Sequence, residues 1–406
     1  MLSVIIRLLL PINIFGCTST KTLIKISQHL ILNNRVATIF KSQTYQLFPA
    51  DCKSSLPIKI TWNENQILKT EIDIGHPKQY YIHLTTNCDP TQQLVLYPSR
   101  FKAIDLIDLY IIQSLAIEFY YQINVPDYAR YIRILLFELH RIRNHINFLS
   151  ALGFNLNFQR LTNRAIKDSR NIQALLETIE SVTSVNTFSG VGGISHDLPP
   201  GFIENVNRTL HEIERSLIFY ERQFQKNRLL IDLLAEVGVI SASQAKKCRL
   251  SGPNLRAVGI DRDDRNSTLK SYYQDLQFQT HLGNGTKGKT GDAWDRCWIR
   301  ILEIGESIKI IRQIVDLLVM AEVNLSISPA LPQKEMSWDI QIEGAEGYIQ
   351  TRLVKNSSDI CFTSRHKLSF TNVIKYLPSI TQNCRFSDIC AILVSLNFNR
   401  AIHVIK

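Results

Sequence analysis

The stretch Tyr131 to Leu149, YIRILLFELHRIRNHINFL, constrains the fold of this chain more than any other. Its apolar residues Leu135, Leu139, Ile142, Ile146 and Leu149 recur at helical spacing as one narrow stripe, and Pro126 upstream marks a plausible boundary. At about 100° per residue, Arg133, His140, Arg143, Asn144 and Asn147 fall opposite the stripe, whereas Glu138, Arg141 and His145 run along its edge. Two readings of that edge trio stay open on pattern alone. One is a solvated face of ion pairs, each contributing about 0.2–0.5 kcal/mol. The other is a Glu/Arg/His set buried where this helix meets another element, which would require mutual satisfaction of the charges.

With 406 residues, 45% hydrophobic and 20% charged, the composition is that of a globular chain with a large core. A net charge of +10 is compatible with an acidic partner, an anionic lipid surface or nucleic acid. Without a recognition module such as paired Cys/His fingers or an aromatic RNA-binding strand, nucleic acid is not expected. The eight cysteines, at 17, 52, 88, 248, 297, 361, 384 and 390, include no C-x-x-C pair. They read as buried thiols of a reducing compartment, and no metal or cluster is expected on this chain alone, because thiolate ligands come in closely spaced pairs.

Residues 1–50 contain no Asp or Glu but carry Arg7, Lys21, Lys25, Arg35 and Lys41, the composition of a mitochondrial transit peptide; an AT-rich coding bias is the bland alternative. The opening MLSVIIRLLLPINIF is interrupted by Arg7 and Pro11 and is shorter than the roughly 20 apolar residues a span needs. Further on, PIKITWNENQILKTEIDI alternates as a hairpin. Helical spacing returns at 101–122, 160–186, 202–235, 241–247 and 292–323, with the Gly/Pro-rich turn SGVGGISHDLPPGF and the charged loop LSGPNLRAVGIDRDDR between helices. The segment GNGTKGKT, Gly283 to Thr290, matches the phosphate-binding Gly-x4-Gly-Lys-Thr pattern, which needs a strand immediately before it; LQFQTHL is the candidate. In a mostly helical chain that context is poor, and nucleotide binding is disfavoured. Near the end, WDIQIEGAEGYIQTRLV reads as a hairpin and FSDICAILVSLNF as a short buried helix. The expected organisation is a targeting or N-terminal extension at 1–47, a small β-containing segment at 48–100, a helical core at 101–330 and an α+β segment at 331–406.

In order along the chain, VPDYARYIRILLFELHRIRNH, GGISHDLPPGF, KNRLLIDLLAEVGVISASQA, LSGPNLRAVGIDRDDR and GDAWDRCWIRILEIGESIKII resemble the quinone-site core subunit of respiratory complex I. That NADH:quinone oxidoreductase family shares a superfamily with the large subunits of nickel-iron hydrogenases. The resemblance implies a mainly α fold, a long-helix bundle with small β-containing segments near both ends, similar to a hydrogenase large subunit. The family's Arg/Glu/Arg/His pattern falls on Arg133, Glu138, Arg141 and His145; its G-x-x-x-R-x-x-G-x-x-x-D-x-R loop falls on Gly252, Arg256, Gly259, Asp263 and Arg265. The start of its later helix falls on Gly291, Asp292, Arg296, Arg300, Glu303 and Ser307.

The resemblance implies that electrons pass from an iron-sulfur cluster in the adjacent subunit to ubiquinone, the substrate, in a cavity between the two subunits. It implies as well that this chain holds no metal and is inactive by itself. NAD binding belongs to the respiratory electron-transport complex, which lies on the matrix side of the mitochondrial inner membrane and holds this subunit peripherally among the others. Tyr97 aligns with the headgroup tyrosine and Arg100 follows it at the family's spacing; Arg133, Glu138, Arg141 and His145 line the cavity. The family's H-P-x-x-H-G turn reads FPADCK here, so Phe48 and Cys52 replace two histidines and Lys53 the glycine. Asn155 stands where the family has an aspartate, Ser189, Gly190 and Val191 where it has an arginine before Gly-Gly, and the C-terminal G-E-x-D-R is absent. Both C-x-x-C motifs of hydrogenases are missing, which sets hydrogenase activity aside. Tyr97 and Cys52 are thus the catalytic candidates of a degenerate headgroup site, and a non-catalytic structural or assembly homologue is the alternative.

Overall fold

The computed structural model describes residues 41–47, 56–72, 81–86, 106–180, 189–325, 336–355, 362–368 and 372–398. Five long helices dominate: α1 (Leu106–Tyr121), α2 (Asp127–Asn155), α3 (Gln159–Glu180), α4 (Phe202–Lys226) and, later in the chain, α8 (Ala293–Met320). The protein is mainly α. Helix α2, 29 residues long, follows Pro126 and packs against α1, α3 and α8, while α4 lies across α3 and α8. Ile132, Leu135, Leu139, Ile142, Ile146 and Leu149 are fully buried, so the apolar stripe read from the sequence is the spine of the core. Among the described residues no helix is long and apolar enough to cross a membrane.

Local chemistry explains where the helices break. Asp292 caps α8 by accepting from Asp295 N. The single helix expected over 202–235 is two, α4 and α5 (Arg228–Leu234), because the Asn227 side chain turns inward to accept from Leu230 N and starts a new helix. Helix α6 (Ala242–Lys247) opens with a capping box made by Ser241 and Gln244, and the one-turn α7 (Pro253–Arg256) starts at Gly252. No strand forms over Leu276–Leu282, so the candidate strand before the Gly/Lys loop is irregular chain.

Three antiparallel strands, β1 (Lys41–Leu47), β2 (Leu56–Asn63) and β3 (Gln66–Ile72), form one sheet. Its expected hairpin turns at Glu64, whose φ is 53°. A two-residue ladder, β5 (Ser189–Gly190) with β6 (Gly193–Ile194), closes the Gly-rich turn before α4. The third sheet has the order β4-β9-β8-β7, from β4 (Tyr81–Thr86), β7 (Met336–Gly344), β8 (Gly347–Lys355) and β9 (Phe362–Leu368). It joins the two β-containing regions of the chain into one layer. The first sheet reaches the C-terminal part too: Ile67 N donates to Cys384 O at 2.8 Å, Trp62 stacks on Phe386 at 4.3 Å, and β3 packs on α9 (Asn372–Thr381). Helix α9 carries Pro378 within it, which masks its helical pattern in the sequence. Helix α10 (Ile389–Ser395) is the expected short buried helix, packed on α2 and α8.

The α2–α3 turn leaves no room at Gly153, where a Cβ would sit 2.7 Å from Thr162 Oγ1 and 2.9 Å from Thr162 N. Because one of those atoms is backbone, Gly153→Ala forces the helix pair apart. The expected cost is about 1–3 kcal/mol, read as a lower denaturant midpoint with an unchanged slope.

Candidate functional site

The edge trio of α2 is interior: Glu138, Arg141 and His145 are at most 1% exposed. The solvated-face reading is therefore replaced by the buried one. Most of the opposite side is covered as well, since Arg133, His140 and Asn144 are also buried, while Arg143 and Asn147 are half-buried. The fully buried polar groups must be met by protein groups.

Arg133 grips Glu118 of α1 with both terminal nitrogens, at 2.9 Å each, and also donates to the Tyr272 hydroxyl and to the carbonyls of Gly190 and Gly193. Glu118 accepts in turn from Gly192 N at 2.7 Å. One ion pair thereby fixes the Gly-rich turn to α1 and α2.

Further along α2 a second cluster joins five elements. Glu138 receives Arg265 at 3.4 Å, Arg141 at 3.5 Å, the Tyr273 hydroxyl at 2.8 Å and Ser307 of α8 at 2.5 Å. Asp263 holds Arg265 at 2.7 Å. Arg256 reaches Glu303 of α8 at 2.7 Å and Glu343 of β7 at 2.6 Å. Glu303 also meets His145 Nε2 at 2.9 Å. Gly252 makes this convergence possible: its φ is +61°, and a Cβ there would lie 2.8 Å from Gly347 Cα, so the α7 turn approaches the β7–β8 turn backbone to backbone.

Burial works against every charge in the cluster, and pairing decides the outcome. For Glu303, burial raises the carboxyl pKa, but Arg256 and the His145 hydrogen bond outweigh it and hold it well below the carboxylate range. Asp263 is likewise pulled down against burial by Arg265 and Arg256. Burial depresses His145 despite Glu303, so its imidazole is neutral at pH 7 and Nε2–H donates to the ionised Glu303. Glu343, with one guanidinium for partner, is instead pushed up by burial to about 7.

Two other residues of the α8 pattern serve as clamps. Arg296 has no hydrogen-bonded carboxylate among the described residues; it donates to the carbonyls of Gly238 at 2.8 Å and Gly291 at 2.7 Å and to Ser395 of α10 at 2.9 Å. Arg300 pairs with Glu346 at 2.9 Å and lies 4.3 Å above the Phe148 ring. Asn155, at the end of α2, donates to Ala151 O at 2.7 Å, and Cys390 donates to its carbonyl at 3.7 Å. Tyr97, Arg100 and Cys52, with Phe48 and Lys53, lie outside the described residues.

In the Gly283–Thr290 loop the amides of Gly283, Gly285, Thr286, Gly288 and Lys289 donate within the chain. Gly285 N and Gly291 N donate to Asp295 at 3.0 and 3.2 Å, and Lys289 N donates to Asp292 at 3.0 Å. Carboxylates of the chain itself stand where a nucleotide phosphate would have to bind, so the nucleotide reading falls. Sequence reasoning missed Glu118, Tyr273 and Glu343 as cluster members: each sits in an ordinary helix, loop or strand pattern, and only the tertiary approach gives it a role.

Comparison with known proteins bears on this arrangement. The profile of the family described as respiratory-chain NADH dehydrogenase, 49 Kd subunit, matches residues 163–340, which contain Arg256, Asp263, Arg265 and Glu303. An NADH-quinone oxidoreductase subunit of Clostridium beijerinckii is 34% identical over 280 residues, covering 68% of this chain and 73% of that protein. The chain belongs to this family of NADH-quinone oxidoreductase subunits. The counterpart in Sorangium cellulosum is 28% identical over 279 residues (68% of this chain, 71% of its own). That of an Anaeromyxobacter species is 25% identical over 341 residues (82% and 88%). The family profile spans the loop and α8 side of the cluster, while the α2 residues Glu138, Arg141 and His145 precede it and Glu343 follows it.

Arg133→Met leaves Glu118 buried against a neutral side chain and releases the β5–β6 turn. A stability loss of about 3–5 kcal/mol is expected on denaturant unfolding. Arg133→Met combined with Glu118→Leu should recover part of that loss, because both charges are then gone.

Proposed function

We propose that this chain is a core subunit of NADH:quinone oxidoreductase, assembled with the other subunits of complex I, and that its matrix-side face helps to form the ubiquinone-reduction cavity against an iron-sulfur subunit. The observation that carries the reading is the 34% identity to an NADH-quinone oxidoreductase subunit over 73% of that protein's length. Electrons arrive from the neighbour's cluster, and the residues of this chain bind the quinone, orient it and supply protons. The charge cluster on α2, α8 and the 253–265 segment is the rigid backing of that cavity, with Arg133, Glu138, Arg141 and His145 as its α2 contribution.

Reduction of a quinone to quinol takes up two electrons and two protons, so the headgroup site needs proton donors. Tyr97 supplies a phenolic O–H and Arg100 an adjacent positive charge. Cys52 takes the place of a histidine and serves as a donor when Lys53 tunes its thiol. Asn155 contributes an amide that can hydrogen bond but cannot release a proton at neutral pH. The acid-free N-terminal stretch supports a mitochondrial location, with the subunit held peripherally at the inner membrane by its partners. The three relatives are bacterial.

A second reading, a structural or assembly homologue, is favoured by one specific observation: Phe48, Cys52 and Asn155 replace three protonatable positions of the family pattern at once. Quinone reductase turnover of the assembled complex separates the two. With Tyr97 as headgroup donor, Tyr97→Phe lowers turnover by about 10²–10⁴-fold while the complex still assembles. Unchanged turnover removes Tyr97 from the chemistry, and absence of turnover in the wild-type complex favours the structural reading.

A further inference from the structure

The buried cluster has one carboxylate too many. Glu138, Asp263, Glu303 and Glu343 face three guanidiniums, those of Arg141, Arg256 and Arg265, and the His145 imidazole is neutral. Four negative charges against three positive ones leave a full unit of charge in a region without water, which is unfavourable unless a proton neutralises it.

Geometry says where that proton sits. Glu138 accepts three hydrogen bonds, from Arg265, Tyr273 and Ser307, and lies 3.5 Å from the Arg141 guanidinium, while Glu303 is held by Arg256 and His145. Asp263 accepts from Arg265 through both of its oxygens. The Glu343 carboxyl has only Arg256 Nη1, which it shares with the carbonyl of Arg262, and its Oε2, although fully buried, has no hydrogen-bond partner among the described residues. The β7–β8 register pairs Glu343 with Tyr348, so the two side chains leave the same face of the sheet with Cβ atoms about 4.5–5.5 Å apart. Among the same residues the Tyr348 hydroxyl also lacks a partner, as does Asp264 Oδ2 in the turn packed on β7. Three buried oxygens, each short of a hydrogen bond among the described residues, thus lie on the adjacent strands β7 and β8 and on the 264–266 turn that packs on β7. The exposed Arg262 places its guanidinium 4.6 Å from the Tyr348 ring centre.

We infer that Glu343 is a buried proton-binding site which holds one proton in the folded chain near neutral pH and exchanges it with solvent through the Tyr348 hydroxyl and Asp264, on the side of Arg262. The three oxygens are not hydrogen bonded to one another in this structure, so the transfer needs the Tyr348 hydroxyl to rotate into reach of both carboxyls and the buried Asp264 to open to water. Tyr348 accepts the Glu343 proton as it releases its own to the Asp264 carboxylate, which passes it to water. Burial, the largest influence on both carboxyls, pushes Glu343 up to about 7 and Asp264 up to about 6, the latter against the opposing pull of Arg262, Ser267 and the nearby Tyr348 hydroxyl. The charged groups that act on Glu343 divide by sign: Arg256 and Arg141 favour its ionised form, and Asp263 and Glu303 oppose it; Arg262 and Asp264 act on the neighbouring Tyr348. The site belongs to the scaffold and stands whether or not the chain handles quinone.

The sign of the linkage sets the test. A carboxyl whose folded-state pKa is raised stabilises the fold fully below its unfolded pKa of about 4.3, and the contribution is lost as pH rises through about 7. The full chain, wild type and Glu343→Gln, is melted between about pH 5 and pH 8.5, and infrared difference spectra are recorded over the same step. Expected in wild type are a falling melting temperature and loss of a protonated-carboxyl C=O band; Glu343→Gln shows a shallower fall and a weaker band, the remainder belonging to Asp264, which burial also pushes up, to about 6. Tyr348→Phe keeps the band but slows its hydrogen–deuterium exchange. The same pH slope or the same band in Glu343→Gln overturns the proposal. Failure of Glu343→Gln to fold at about pH 6 does so as well, since a neutral amide there replaces a neutral acid of the same shape. Unchanged exchange in Tyr348→Phe overturns the route.

Discussion

The interaction on which the rest of this structure depends is the pairing of Arg256 with Glu303 deep between α7 and α8. Neither charge could be buried alone, because desolvating an ion costs several kcal/mol that only a close counter-charge offsets. Once the two are together, Glu303 has an oxygen left to orient His145 from α2, and Arg256 has a nitrogen left for Glu343 from β7. Elements far apart in the chain are thus tied to one point by groups that cannot move apart without exposing a charge to an apolar interior. Apolar packing makes the bundle compact, while the charge network selects which face of α2 looks at which face of α8.

Much of this was legible in the sequence. The stripe from Leu135 to Leu149 gave α2 its core face, Asp292 and Ser241 signalled helix starts, and the alternation across Ala345 and Glu346 gave the β7–β8 hairpin. Pattern alone could not decide whether Glu138, Arg141 and His145 meet water, because an edge position on a helical wheel is solvated or buried according to what packs beside it. The break at Asn227 was hidden in a continuous amphipathic pattern, since a side-chain cap costs no apolar residue. The union of β4 with β9, and the role of Glu343, depend on chain segments far apart in sequence, for which local pattern carries no signal.

Membership of the NADH-quinone oxidoreductase family gives the scaffold its meaning and sharpens the contrast within this chain. Positions that hold elements together, from Arg133 to Ser307, are occupied by residues that the fold ties to one another across helices, loop and strand. Of the positions where the resemblance leads one to expect proton donors to a quinone, Tyr97 is kept while Phe48, Cys52 and Asn155 depart from the pattern, and Asn155 at the end of α2 is the departure within the described residues. An amide there hydrogen bonds into its own helix and needs no partner to supply charge.

The central claim is that Arg256 and Glu303 can be buried only together. A double-mutant cycle between Arg256 and Glu303, with methionine at each position and unfolding free energy as the readout, tests it most directly. A coupling energy of about 2–3 kcal/mol is predicted, each single change being far worse than half of the double one. Additivity within about 0.3–0.5 kcal/mol would contradict the account.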